Sequence, residues 1–178
     1  MKVELVSNLR EVEPCQWDKL NILNHPFTSF DFLNSLEISG SVSPKTGWHP
    51  KHIIVKDTNN VIIGACPNFL KTHSYGEYIF DYAWANAFEN AGGQYYPKLI
   101  SAIPFTPATG PRILIEENHP DNDEIFALII DTFEAIVQKN NLSSAHINFI
   151  TDDLNFKLNK NNWIQRKGIQ FHWYNKNY

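Results

Sequence analysis

Apolar and polar positions recur along this chain in short blocks. From Lys2 to Ser7, Val3 and Leu5 alternate with Glu4, the period of a short strand. From Pro14 to Leu23, Trp17, Leu20 and Leu23 fall at helical spacing, with Pro14 suited to a first turn. Asn24-His25-Pro26 ends that helix, because the residue before a proline avoids the helical region. Ser29 is placed to cap a second helix carrying Phe32, Leu33, Leu36 and Glu37, and Gly40 stands past its end. Residues 40–50 are rich in turn formers. His52–Lys56 and Val61–Ala65 then flank Asp57–Asn60, a hairpin pattern. The second strand is expected to run past Pro67 to Lys71, with the proline at a bulge or unpaired edge position.

A turn at Ser74–Glu77 leads into an expected helix from Tyr78 to Asn90, stopped by Gly92-Gly93. Leu99–Phe105 and Ile113–Ile115 read as strands on either side of a Thr/Pro/Gly loop. The clearest helix spans Asp121–Asn140, where Ile125, Leu128, Ile129, Thr132, Phe133, Ile136 and Val137 form one apolar stripe. Its first turn carries Asp121, Asp123 and Glu124, as the helix dipole prefers. Ala145–Ile150 is a strand, Asp152–Asn159 a short helix, and Trp163–Tyr174 a long strand or a hairpin turning near Lys167-Gly168. This order predicts one α/β (α+β) domain: a mixed, largely antiparallel central sheet with helices on both faces.

Composition narrows the classes of function. The 178 residues are 43% hydrophobic and 13% aromatic, enough to bury a core. A formal net charge of −4 gives no support for a generic basic nucleic-acid surface. Cys15 and Cys66 belong to no Cys-x-x-Cys pair and read as idle thiols in a reducing compartment. The N-terminus has no long apolar run, and no stretch approaches a membrane span, so a cytoplasmic location is expected.

Candidate chemistry concentrates between Lys71 and Arg112. His73, Glu77 and Asp81 are spaced four apart, in a row extended by Trp84 and Phe88. Were the helix to reach back to His73, an imidazole and two carboxylates would share one face. Such a trio could act as general base and orienter. The residues alone favour an ion-paired helix start packed beside aromatics, with the acids meeting Lys71, Lys98 or Arg112. The loop 106–112 offers the Thr106 and Thr109 hydroxyls, Gly110 and the Arg112 guanidinium, which could hold an anion or serve as a rigid connection. Trp48, Tyr75, Trp84, Tyr95, Tyr96 and Trp173 could line a stacking groove or pack as core and rim. His49 and His52 flank Pro50 without a supporting ligand pair, so no metal is expected. A Gly-x-Ser-x-Gly elbow is absent.

HPFTSFDFLNSLEISGSV (25–42), TGWHPKHI (46–53), PNFLKTHSYGEYIFDYAWANAF (67–88), YYPKLISAIPFTPATGPR (95–112) and GIQFHWYN (168–175) resemble the FemAB-like family of peptidoglycan biosynthesis/recognition. That family belongs to the GNAT-like acyl-CoA N-acyltransferase superfamily, with which the order of elements is compatible. The resemblance implies N-acyl transfer, including aminoacyl transfer to an amine of a cell-wall peptide precursor. The implied donor is acyl-CoA or aminoacyl-tRNA. The pyrophosphate loop of acetyl-CoA users has no counterpart here. The resemblance also implies one GNAT-like domain over 1–178 as the N-terminal half of a longer protein, partnered by a C-terminal GNAT-like half. A dimer through an exposed C-terminal strand edge is a further expectation. On this reading His73, Glu77 and Asp81 are the candidate base or catalytic residues. Lys71, Tyr75, Trp84, Thr109 and Arg112 are the candidate substrate contacts. The alternative is a non-catalytic peptide- or glycan-binding, or structural, half-domain.

Overall fold

A computed structural model describes residues 1–177. Its strands form two four-stranded sheets. β1 (Lys2–Val6), β3 (His52–Lys56), β4 (Ile62–Cys66) and β7 (Leu114–Ile115) lie in the order β1-β3-β4-β7. β2 (Trp48–Pro50), β5 (Phe69–Lys71), β6 (Lys98–Ser101) and β8 (Ala145–Ile147) lie in the order β2-β5-β6-β8. Every pairing is antiparallel except β6 with β8. The mixed, largely antiparallel α/β arrangement is as expected, but it is divided between two sheets.

The division has a local cause. Residues 48–56 and 62–71 form a single hairpin that bends midway, at Lys51 on one arm and Pro67 on the other. Below the bend Ile53 pairs with Cys66; above it Pro50 pairs with Phe69. Proline cannot donate to a ladder. Instead the Pro67 carbonyl accepts the Ser101 hydroxyl at 2.7 Å, and the Asn68 amide donates to His52 Nδ1 at 3.1 Å. The anticipated strand past Pro67 therefore exists, but it serves a different sheet.

Helices cover the first sheet on both faces. α1 (Pro14–Leu20) and α2 (Phe30–Ile38) place Trp17, Leu20, Phe30 and Leu33 against Ile54, Ile62, Ala65 and Leu114. The Ser29 hydroxyl accepts from the Phe32 amide and caps α2 as anticipated. On the opposite face α4 (Asn122–Lys139) packs Ile125, Ile129, Phe133 and Ile136 against Ile53, Val55, Ile63 and Leu99, and so bridges both sheets. Its buried face is wider than the sequence stripe. Phe126 and Ile130 are also buried, because α5 (Asp152–Lys160) seats Leu154 and Leu158 on them.

A buried histidine ties parts of this framework together. His52 Nε2 lies 2.8 Å from Glu37 Oε1, and Glu37 Oε2 accepts the Leu9 amide at 2.9 Å. This ties α2 to β3 and to the N-terminal segment. Cys66 is buried, with its thiol 3.3 Å from Ser101 Oγ and pushed up to about 12 by burial; Cys15 is exposed, and neither is in a disulfide.

The C-terminal expectation fails. Residues 163–177 form neither helix nor strand, and Ile164, Ile169 and Phe171 are almost fully exposed. Trp163 packs edge-on against Phe133 at 5.6 Å, and the chain beyond it is tied down through side chains instead of a strand ladder. The anticipated C-terminal strand edge has no counterpart among the described residues. Tyr178 lies outside them.

Candidate functional site

Trp48, Lys71 and Lys98 stand side by side across β2, β5 and β6, because Trp48 pairs with Lys71 and Lys71 with Lys98. The neighbouring positions Leu70 and Leu99 point to α4, so this row occupies the opposite face of the sheet. All three side chains are fully buried. Like charges opposite one another on a sheet repel, and two features offset that here. The Lys71 ammonium lies 3.9 Å over the Trp48 ring and donates to the Tyr75 carbonyl at 3.0 Å. Lys98 meets two carboxylates, Glu77 Oε2 at 2.8 Å and Asp81 Oδ2 at 3.3 Å.

The segment 73–81 covers this face as a loop, not as a helix. Gly76 and Tyr78 have φ of +81° and +55°, a left-handed backbone that a right-handed helix cannot accommodate. A Cβ on Gly76 would stand 2.6 Å from the Phe105 ring, so glycine is required for space as well as for torsion. The helix expected from Tyr78, or from as far back as His73, therefore starts at Tyr82 as α3 (Tyr82–Asn90). His73, Glu77 and Asp81 do not share a helical face. Glu77 and Asp81 are brought together by Lys98 instead. His73 sits apart over Gly47, its Nδ1 accepting the Tyr75 amide at 3.3 Å and its ring 5.0 Å from that of Tyr75.

Asp81 is the most connected member. Its Oδ2 accepts the Tyr95 hydroxyl at 2.9 Å as well as Lys98, and its Oδ1 accepts from Arg166. Burial alone would raise the carboxyl, but Lys98, Tyr95 and Arg166 outweigh it and hold Asp81 below its ordinary value. Burial instead raises Glu77 in spite of Lys98. Its Oε1 has no hydrogen-bond partner among the described residues. Burial brings Lys71 down to about 8 and, with Lys98 close by, His146 to about 4. Partial burial and Lys71 lower His73.

The remaining sequence candidates lie elsewhere. Arg112 is buried and its guanidinium donates to three backbone carbonyls: Asn148 at 3.0 Å, Pro111 at 3.1 Å and Ala108 at 2.6 Å. No ion pair joins it to a carboxylate among the described residues; it clamps the 106–111 loop to the end of β8, and burial lowers it to about 10. Thr109 is exposed, and its carbonyl lies 3.2 Å from His25 Nε2. Tyr75 and Trp84 are exposed at 72% and 64%. They belong to a run that includes Tyr78, Phe80 (74%), Tyr82 and Phe88, and α3 buries none of its residues.

Arg166 and His146 carried no signal in the sequence, since Arg166 reaches Asp81, and His146 reaches the Tyr95 ring, only across long separations in the chain. Tyr95 stood among the aromatics without a role. No group of three His, Cys, Asp or Glu residues among those described could hold a metal ion, and no described helix is long and apolar enough to cross a membrane. The ionic cluster is closed to a substrate. The aromatics on 75–88 and the half-buried His73 face solvent, whereas Arg166 covers Asp81 Oδ1.

A family model named FemAB-like and described as peptidoglycan biosynthesis/recognition matches residues 8–178. No curated protein is matched. Among solved structures, a tetramutant of the BH1408 protein from Bacillus halodurans is similar in fold, with a TM-score of 0.55 and 8% identity. That match covers 97% of this chain and 100% of the other. A point mutant of the same Bacillus halodurans protein matches with a TM-score of 0.48 and 10% identity, over 98% of this chain and 100% of the other.

Proposed function

The chain belongs to the FemAB-like peptidoglycan biosynthesis/recognition family, and we propose that it recognises an amine-bearing peptide of a cell-wall precursor, the acceptor in an N-acyl transfer. The observation that carries this reading is the run of exposed aromatics on 75–88. Soluble domains rarely leave six large rings in fourteen residues facing water without a binding role. Tyr and Trp give broad contact area with little side-chain freedom to lose. The buried Lys98–Glu77–Asp81 cluster fixes the loop that carries the first of these rings.

Isothermal titration with a lysine- or diaminopimelate-containing cell-wall peptide tests this. Saturable binding is expected, and Trp84→Ala should weaken it about tenfold, the scale of one aromatic contact. Equal affinity in Trp84→Ala and Phe80→Ala would sink the assignment.

A second reading concerns catalysis by His73. It alone of the sequence trio has solvent access, and partial burial beside Lys71 lowers its pKa and so favours the neutral imidazole, the form a general base needs. Its role would be to take the proton from the attacking amine. Glu77 and Asp81, closed off around Lys98, act on this reading as positioning residues. His73→Gln should lower kcat for acyl transfer while leaving acceptor KM unchanged. A matched loss in both would assign His73 to binding.

A further inference from the structure

Asp81 is bonded differently on its two sides. Tyr95 and Lys98 hold Oδ2 from within, so the carboxylate is fixed whatever approaches Oδ1. Oδ1 faces Arg166, whose side chain is 48% exposed and whose guanidinium lies 5.9 Å over the Trp84 ring. Arg166 comes from the C-terminal stretch without helix or strand. Gln170 lays the same stretch over the 104–111 loop by donating to the Pro107 carbonyl at 2.9 Å.

A carboxylate beside an aromatic face is the chemistry that selects a cation. We propose that Asp81 Oδ1 and the face of Trp84 form a binding site for an alkylammonium group of a peptide, and that Arg166 occupies this site in cis until such a ligand displaces it. The inference deepens the acceptor-recognition reading and rests on it for the source of the amine. Exchange of one cation for another leaves the near-buried carboxylate compensated throughout. A neutral ligand would have to expel Arg166 and leave Oδ1 unpaired. Occupation in cis lowers the apparent affinity by the fraction of time that Arg166 is in place. The C-terminal stretch thus sets the ligand concentration at which the site opens.

A simple ammonium probe separates this inference from the acceptor reading. Nα-acetyl-lysine methylamide is titrated against the Trp84 indole N–H resonance, with the norleucine analogue as control. Arg166→Gln is expected to bind the lysine probe at least about fivefold more tightly than the parent, as removal of a competing occupant requires. The norleucine compound should leave the resonance unmoved, and Asp81→Asn in the Arg166→Gln background should abolish binding. In the parent, saturation with the probe should move the Arg166 Nε–H resonance to its solvent-exposed position, a measurement that does not depend on the variant folding. Equal affinity in parent and Arg166→Gln, equal response to lysine and norleucine, or an unmoved Arg166 resonance at saturation would each overturn the proposal. Should the probe behave as expected while cell-wall peptides fail to bind, the cation site stands and the acceptor reading falls.

Discussion

Lys98 faces Lys71 across two strands in a fully buried setting, and Glu77 and Asp81 compensate it. Removing one partner of a buried ionic group is costly because the other charges remain. Lys98→Met is therefore expected to destabilise the fold by about 3–5 kcal/mol in urea denaturation. Combining it with Glu77→Gln and Asp81→Asn should recover part of that loss. A second expectation concerns pH. His146 is held at about 4 in the fold against an ordinary 6.5. Between those values the unfolded chain binds a proton that the folded chain refuses, so its contribution is intact above pH 6.5. It is lost as pH falls toward 4, by up to roughly 3 kcal/mol, and levels off below. His146→Gln should flatten that limb of a stability-versus-pH curve. The need of Glu77 and Asp81 for a cation was legible in the sequence, with Lys98 among three candidates. Which cation served depended on the β5–β6 register, a non-local pairing that no local pattern encodes.

Elements were legible where a single period governed them. The Ser29 cap, the β3–β4 hairpin and α4 fall within a few residues of expectation. The start of α3 did not, because the aromatic spacing was helical while Gly76 and Tyr78 carried left-handed torsions. The hairpin hides another device. Val55 pairs with Gly64 and Lys56 with Ile62, making Ile63 the extra residue of a bulge. Both Ile63 and Gly64 consequently lie toward α4, and a Cβ on Gly64 would sit 2.6 Å from Ile125 Cγ2. Gly64→Ala should cost about 1–3 kcal/mol by overpacking. Trimming the opposing side chain with Ile125→Val should restore much of it, read as a double-mutant cycle in chemical denaturation. An additive result would place the strain elsewhere.

For the whole molecule, the order of elements identified a mixed, largely antiparallel fold with helices on both faces, and the structure has these. Division into two sheets was hidden because the Pro67 signal is the same for a bulge, an edge and a bend. The C-terminal stretch misled for a related reason. Its aromatic, β-prone residues suggested a strand, but they are exposed, and side chains of Arg166 and Gln170 anchor it to the fold.

The bend at Pro67 makes one ten-residue run, 62–71, an interior strand of both sheets. α4 covers Ile53 in one sheet and Leu99 in the other. Neither sheet can separate from its helix without disturbing the chain that threads the other. Native-state hydrogen exchange should therefore report a single cooperative unit, with the amides of Ile54 and Ile100 opening at the same free energy and responding alike to denaturant. Two distinct opening energies would mean that the proline is a hinge between independent halves.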